Sequence, residues 1–176
     1  MRIPRGQIEQ LDEPLLWQGR IRDLGINDLG DPETPLSAEL DASPEQGGIR
    51  LRGSLRGNLT LICDRCLGPL ELAVDGAVNV LLLPEGAVDE AGPETGPRET
   101  GLIELPPHGG SIDLMAPLRE ALYLELPQRL LCRRDCKGLC PVCGQNWNAG
   151  DCDCVAEPGD DRWAPLQKLK KKLEQA

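Results

Sequence analysis

Six of the eight cysteines lie in one short segment, with the spacing Cys132-x3-Cys136-x3-Cys140-x2-Cys143-x8-Cys152-x-Cys154. The most informative part is Cys140-Pro-Val-Cys143-Gly144, because such a turn brings two thiolates together. Its glycine lets the backbone curl so that amide groups can point at sulfur. The downstream cysteine pair can complete a tetrahedral four-thiolate site, and soft thiolates select zinc or an iron–sulfur cluster over hard cations.

We therefore predict a bound zinc ion, with Cys140, Cys143, Cys152 and Cys154 as the ligands. Cys152 and Cys154 are only two positions apart, so Cys136 is an alternative to one of them. The chain has a single histidine, and the ligands must therefore be nearly all sulfur. Four protein ligands leave no open coordination position, which is typical of structural zinc. An iron–sulfur cluster and thiols without metal, either reduced or forming disulfides, are the alternatives.

The clearest periodic pattern predicts a β-hairpin over residues 48–83. Apolar residues take odd positions before its turn and even positions after it: Ile49, Leu51, Leu55, Leu59 and Leu61, then Leu70, Leu72, Val74, Val78, Val80 and Leu82. If Cys63 faces Leu70, paired positions have an odd sum and both apolar sets lie on one side. Gly53, Gly57 and Gly76 mark bulges or close packing.

A further cysteine pair, Cys63-Asp-Arg-Cys66, lies at the predicted turn of this hairpin. Three interpretations are open: a second four-thiolate site with Cys132 and Cys136, a redox dithiol, or a turn with two partly buried thiols. A redox pair usually opens a helix that lowers the thiol pKa. The β-turn predicted here counts against redox catalysis.

Weaker patterns surround the hairpin. Residues 1–46 look weakly structured, with an edge strand over 15–22 and a short alternating run at 36–40. The acidic segment 84–110 is rich in proline and glycine and predicts a long flexible loop. A leucine stripe predicts a helix over 113–126, and another stripe predicts a short helix from Pro165 to Leu173.

These elements predict an α+β fold. It has an antiparallel β-sheet core, peripheral helices and a small cysteine-rich, zinc-binding C-terminal lobe. We expect residues 1–127 to form the β core, including the acidic loop and the first helix. Residues 128–176 then form the zinc lobe and the C-terminal helix. Metal binding supplies folding energy to a segment this poor in apolar residues.

The net charge of −10 disfavours general coating of nucleic acid, so any RNA contact must use a local basic patch. Arg50, Arg52 and Arg56 share one face of the first hairpin strand. They form either a solvated face, partly neutralised by Glu71 and Asp75, or a small phosphate-binding strip. The second patch is on the last helix and consists of Lys168, Lys170, Lys171 and Lys172. It either contacts RNA or a protein partner, or is solvated.

The sequence contains none of the common catalytic motifs. The chain has no phosphate-binding glycine loop, dinucleotide fingerprint or nucleophile elbow, and we expect no enzymatic activity. No apolar stretch is long enough for a membrane span, and the first residues lack a signal-peptide pattern. We expect a cytoplasmic protein, in which cysteines serve as metal ligands before they form disulfides.

Several motifs occur together in a fixed order. They are Cys63-Asp-Arg-Cys66-Leu67, Ile112-Asp-Leu114, Arg119-Glu120, Leu124-Glu-Leu-Pro127, Cys136-Lys-Gly-Leu-Cys-Pro-Val-Cys-Gly144, Asn146, Cys152-Asp-Cys154 and Asp161-Arg-Trp-Ala-Pro-Leu166. Over residues 48–170 this order closely resembles the YceD-like family, also called large ribosomal RNA subunit accumulation proteins.

The resemblance implies a bacterial or plastid factor in ribosome biogenesis that supports accumulation of 23S rRNA and has no established enzymatic activity. Its implied partner is the pre-50S particle, reached through 23S rRNA or a ribosomal protein, with no membrane and no small-molecule substrate. In a plant the compartment would be the plastid stroma. Two other hypotheses stay open: a thiol-disulfide oxidoreductase using Cys63 and Cys66, and a zinc-stabilised adaptor for protein interactions.

Overall fold

The computed structural model describes residues 1–11, 13–45, 47–87, 101–155 and Leu166. Its strands are β1 (Arg2–Pro4), β2 (Leu15–Arg20), β3 (Pro35–Glu45), β4 (Gly48–Ile62), β5 (Pro69–Leu83), β6 (Gly101–Glu104) and β7 (Ser111–Asp113). Its helices are α1 (Arg5–Ile8), a 3-10 turn (Ile21–Leu24) and α2 (Met115–Glu125). Among these residues, no helix is both long and apolar enough to span a bilayer.

Five strands form the main sheet in the order β2-β3-β4-β5-β6, and β1 pairs with β7 in a separate ribbon. All neighbours are antiparallel except β5 and β6, which run parallel. The predicted α+β class with an antiparallel core is therefore confirmed. The parallel edge makes the sheet mixed, because the chain crosses over between β5 and β6.

The β4–β5 hairpin pairs odd positions with even positions, as predicted, but its turn differs from the predicted one. Leu61 faces Leu70 and Leu51 faces Val80, so apolar positions on the two strands share one face. Cys63, which we expected to face Leu70, lies instead in the turn, where its N–H donates to the carbonyl of Gly68 over 2.8 Å. The turn takes residues 63–68 out of the ladder, so the last pair is Ile62 with Pro69.

Close approach of the backbone explains two of the glycines in the sheet. A Cβ at Gly53 would overlap the carbonyl oxygen of Glu39, and one at Gly76 would overlap that of Ala121 on α2. The β3–β4 and β4–β5 ladders are continuous past both positions. Of the two predicted roles, close packing is therefore the one observed.

The apolar face of the hairpin is covered by α2. Leu55 and Leu59 are fully buried, as are Leu118 and Leu122 of the helix. The helix was predicted over 113–126, and it forms over Met115–Glu125. Asp113 supports its first turn, because Oδ1 accepts a hydrogen bond of 3.0 Å from the N–H of Met115.

Two expectations about the flanking segments were wrong. Residues 1–46 are not weakly structured: β2 forms the predicted edge strand, β3 is eleven residues long, and Ile3, Ile21 and Leu24 are buried. Short elements with one or two apolar residues each carry no clear period, so their contribution to the core could not be read from the pattern. Within 84–110, β6 adds to the sheet beside β5. Residues 88–100 lie outside the described residues.

The chain divides into two compact units. The first comprises Met1–Asp64 and Gly68–Arg134, and it contains every strand and helix named above. The second comprises Arg65–Leu67 and Asp135–Ala176. Its described part has one isolated β-bridge, between Leu139 and Asn146. The predicted last helix lies outside the described residues apart from Leu166, and so do Trp163 and the four lysines.

Candidate metal centres

The eight cysteines form two groups of four. The first group is Cys63, Cys66, Cys132 and Cys136, and the second is Cys140, Cys143, Cys152 and Cys154. Within each group all Sγ atoms lie within 4.8 Å of one another. A zinc ion with four Zn–S bonds of ~2.3 Å holds its sulfurs ~3.8 Å apart, so the spacing and the donor type both fit such an ion. Both groups can therefore hold a metal ion.

The second group begins on a tight turn. The N–H of Cys140 donates to the carbonyl of Gln145 over 2.8 Å, and the N–H of Gly144 donates to the carbonyl of Cys140 over 2.9 Å. Gly144 has a φ of 75°, which a residue without Cβ adopts at little cost. This is the curled turn that the Cys-Pro-Val-Cys-Gly string predicts, and it brings Cys140 and Cys143 together.

Side chains within the same unit hold the downstream pair. The amide Nε2 of Gln145 donates to the carbonyls of Gly150 and Asp151, over 3.3 and 3.0 Å. The indole Nε1 of Trp147 donates to Cys152 Sγ over 3.4 Å. These contacts position the loop that returns Cys152 and Cys154 to the turn.

The thiols of the second group affect one another electrostatically. Backbone N–H groups of Cys143 and Val142 donate to Cys140 and lower the pKa of its thiol to about 6. Hydrogen bonding to Cys143, together with burial and the charge of Cys143, raises the pKa of Cys154 to about 12. Four crowded thiolates repel one another, and a divalent cation between them would remove that penalty.

The first group is mostly shielded from solvent. Cys63, Cys66 and Cys136 are buried, with exposed fractions of 0%, 7% and 1%, whereas Cys132 is exposed. The turn of residues 63–68, which carries Cys63 and Cys66, also contains Leu67 at a φ of 55°, the one described residue other than glycine with a positive φ. Asp64 ties the turn to the chain before Cys132: its N–H donates to the carbonyl of Leu130, and its Oδ2 accepts from the Leu130 N–H, each over 2.7 Å.

Two side chains that donate to sulfur were not predicted from the sequence. One is Trp147, described above, and the other is Asn148, whose Nδ2 donates to Cys136 Sγ over 3.3 Å. The guanidinium of Arg65 also donates to the carbonyl of Cys136, over 2.7 Å. The available signal was the polar Asn146-Trp-Asn148 string between two cysteine pairs, where side-chain N–H groups close to thiolates are expected.

The three arginines of β4 occupy different environments. Arg50 is buried and bound to Glu45, and it also donates to Asn79 Oδ1 over 3.0 Å. Arg56 is exposed and pairs with Asp75 over 3.1 Å, while Arg52 is exposed on the same face. Glu71, which we expected to neutralise this face, accepts a hydrogen bond from Thr60 over 3.0 Å. The role of the arginines in binding stays a prediction.

An open groove of about 1030 Å³ crosses β2, β3, β4 and β5 on the first unit. Arg20, Arg22 and Arg56 line it together with Asp23 and Asp75, giving a local excess of one positive charge among these five. Glu33 accepts from both Arg20 and Arg22. With Glu33 counted, three arginines and three carboxylates balance, so the groove is a neutral region that presents guanidinium groups on an acidic chain.

A mostly β protein with two four-cysteine groups that can bind metal is the class that the fold and these sites define. Comparison with known families then identifies it more closely. The family described as large ribosomal RNA subunit accumulation protein YceD matches residues 51–170, and the chain belongs to this family. The matched segment includes all but the first three residues of the β4–β5 hairpin, α2 and all eight cysteines.

Individual relatives are similar to this chain over about three quarters of its length or more. A chloroplastic YCED homolog 1 of Arabidopsis thaliana, named for large ribosomal RNA subunit accumulation, is 27% identical over 81% of this chain and 50% of its own length. An uncharacterized protein of Mycobacterium tuberculosis is 33% identical over 76% of this chain and 61% of its own. The chain thus spans about half or somewhat more of these relatives. No solved structure matches it.

Proposed function

We propose that this protein is a non-catalytic ribosome biogenesis factor that supports accumulation of 23S rRNA during assembly of the large subunit. The observation that carries the proposal is the family match over residues 51–170, since the family is named for large ribosomal RNA subunit accumulation. The relatives from Arabidopsis thaliana and Zea mays carry the same description. The proposed partner is the pre-50S particle.

We further propose zinc as the metal of both cysteine groups. All-thiolate sets select zinc over hard cations, and four protein ligands leave no position for a substrate. Bound zinc would supply structural stability, with Cys140, Cys143, Cys152 and Cys154 as one ligand set and the first group as the other. Thiolates stay available for metal in a reducing compartment, which is why we place the protein in the bacterial cytoplasm or the plastid stroma.

The groove on the first unit is the proposed contact with the particle. Arg20, Arg22 and Arg56 present planar guanidinium groups to it, and such groups recognise phosphate by paired hydrogen bonds. Gln18, Ser37 and Asn58 add neutral polar side chains to the lining. Arg52 and the four lysines at 168 and 170–172 are further proposed contacts, whereas the buried Arg50 supports β4, the strand that carries Arg52 and Arg56.

Depletion of the protein tests the role directly. We expect a lower ratio of 23S to 16S rRNA and an accumulation of large-subunit precursors on sucrose gradients. Complementation with Arg22→Glu and Arg56→Glu together should fail to restore the ratio. The matched control is Arg2→Glu, because Arg2 is 79% exposed and lies outside the groove lining. An unchanged rRNA ratio after depletion contradicts the proposed function.

An adaptor for a ribosomal protein is the second candidate. The net charge of −10 suits a basic partner, and Val142 on the second unit is an exposed apolar side chain at the tip of a cysteine turn. Capture of the particle before and after RNase treatment separates the two routes, because a protein-mediated contact survives the nuclease. The oxidoreductase hypothesis finds less support, since Cys63 and Cys66 are buried and a reactive thiol must be reachable.

A further inference from the structure

Consecutive residues of one short turn donate hydrogen bonds to sulfurs of different cysteine groups. The indole Nε1 of Trp147 is 3.4 Å from Cys152 Sγ in the second group. The amide Nδ2 of Asn148 is 3.3 Å from Cys136 Sγ in the first group. A bond from N–H to a metal-bound thiolate spreads the negative charge of the sulfur and fixes its direction toward the metal.

The orientation of the Asn148 amide is determined by its other contacts. Its Oδ1 accepts from the backbone N–H of Lys137 over 2.9 Å, and a backbone N–H can only donate. The NH₂ end must then face Cys136, with its second hydrogen directed to Asn146 Oδ1 at 2.8 Å. The donor is thus held in place by partners that leave it no alternative arrangement.

The turn is anchored to the cysteine segment by its backbone. The N–H of Trp147 donates to the carbonyl of Gly138 over 3.0 Å, and the N–H of Ala149 donates to that of Asn146 over 3.0 Å. Asn146 Oδ1 accepts from the backbone N–H of Asn148 over 2.9 Å. A change in the position of Asn148 must therefore displace Trp147, the next residue along a tightly bonded turn.

We propose that the Asn146–Asn148 turn couples metal binding at the two cysteine groups, with Trp147 and Asn148 as the positioning residues. An ion in the first group holds Cys136 as a thiolate and orders the turn through Asn148. The indole of Trp147 is then already directed at Cys152, so the second ion binds with less ordering cost. Reciprocity requires that an ion in the second group strengthens binding in the first by the same factor. This inference rests on the proposed zinc binding.

Zinc release from the purified full chain, followed with a chelator and a zinc-sensitive dye, tests the coupling. We expect Asn148→Ala and Trp147→Phe each to weaken binding of the adjacent ion by about 10–100-fold, the usual effect of removing such a supporting contact. Emptying the second group with Cys154→Ser should weaken the first ion by about 5-fold or more, and this effect should vanish in the Asn148→Ala background. Asn27→Ala and Trp17→Phe in the first unit are the matched controls, because neither residue is in a cysteine group or in the turn.

A second measurement avoids variants that fail to fold. In the wild-type chain loaded with cadmium-113, NMR should show the Trp147 indole proton coupled to one cadmium and the Asn148 amide proton coupled to the other. Two bound ions without these couplings, or two ions released independently, overturn the inference while leaving the zinc proposal intact. A folded chain that binds no metal overturns both.

Discussion

Arg50 is a charged residue that is buried in the first unit. Its side chain is 5% exposed, and the guanidinium is paired with Glu45, whose side chain is 32% exposed. Its second donor group reaches Asn79. Removing one partner of a buried ion pair leaves an uncompensated charge, so breaking this pair costs more than forming it gains. Arg50 therefore fixes the end of β4 next to the turn between β3 and β4.

The ion pair between Arg50 and Glu45 makes the free energy of unfolding decrease as the pH becomes acidic. The hydrogen bond and charge of Arg50 lower the pKa of Glu45 from its ordinary 4.5. A lowered folded-state pKa contributes stability that is present above the unfolded pKa and lost as pH falls through the folded one. Glu45→Gln has no carboxylate to protonate at this position. We therefore expect its free energy of unfolding to vary less with pH below about 4.5 than that of the wild type.

Urea unfolding at a series of pH values measures this effect. The matched control is Asp75→Asn, which removes the pair with Arg56, both side chains being 62% exposed. An exposed pair of this kind contributes less than about 1 kcal/mol, and the control should follow the wild-type profile closely. Parallel profiles for wild type and Glu45→Gln would contradict the role assigned to Arg50.

Gly76 is required because α2 lies directly above it. A Cβ at this position would overlap the carbonyl oxygen of Ala121, which is backbone and cannot rotate away. We expect Gly76→Ala to lower the free energy of unfolding by about 1–3 kcal/mol, as overpacking usually does. Gly101→Ala on β6 is the control, since its Cβ would lie 3.7 Å from Val80 and cause no clash. Equal stability of the two variants would exclude close packing as the reason for glycine.

Single residues also show where sequence patterns stop being informative. The cysteine spacing indicated which residues form the second group, because a short turn brings Cys140 and Cys143 together and the next cysteine pair follows within a few residues. Burial of Arg50 could not be predicted, since strict alternation places it with the exposed Arg52 and Arg56. The same holds for Asn148, whose contact with Cys136 depends on how the intervening residues fold back.

The β4–β5 hairpin shows how much of a whole element a sequence pattern can predict. Parity alone predicted its shared apolar face, because strand side chains alternate and a slip by one residue would expose them all. The register differs from the expected one because residues 63–68 form the turn that carries Cys63 and Cys66. Loop geometry of this kind depends on contacts such as that between Asp64 and Leu130, which are distant in the sequence.

The helix α2 stabilises the sheet through one face only. Leu122 is fully buried against the hairpin, whereas Leu124, two residues later, is 78% exposed. We expect Leu122→Ala to lower the free energy of unfolding by about 2–5 kcal/mol, from lost burial and the cavity left behind. Leu124→Ala on the same helix should change it by about 0.5 kcal/mol or less. Similar losses for both, measured by chemical unfolding, would contradict this packing.

At the scale of the whole chain, the apolar core belongs to the first unit. Its buried side chains come from every part of that unit, including the amino-terminal segment, as Ile3, Leu55 and Leu122 show. In the described part of the second unit, the buried apolar side chains are those of Cys66, Cys136 and Cys140. Three thiols provide little of the burial that folding needs, so we expect the described part of this unit to require bound metal for its fold.

Removal of metal should therefore affect the two units differently. With a strong chelator, we expect amides of residues 135–155 to exchange their hydrogens rapidly, while those of β3, β4 and β5 stay protected. Zinc readdition should restore protection, and magnesium should not, because thiolates bind hard cations weakly. Elemental analysis of protein purified without added metal should give about two zinc ions per chain, one for each four-thiolate group. Protection of residues 135–155 that persists after complete removal of metal would show that this unit folds without it.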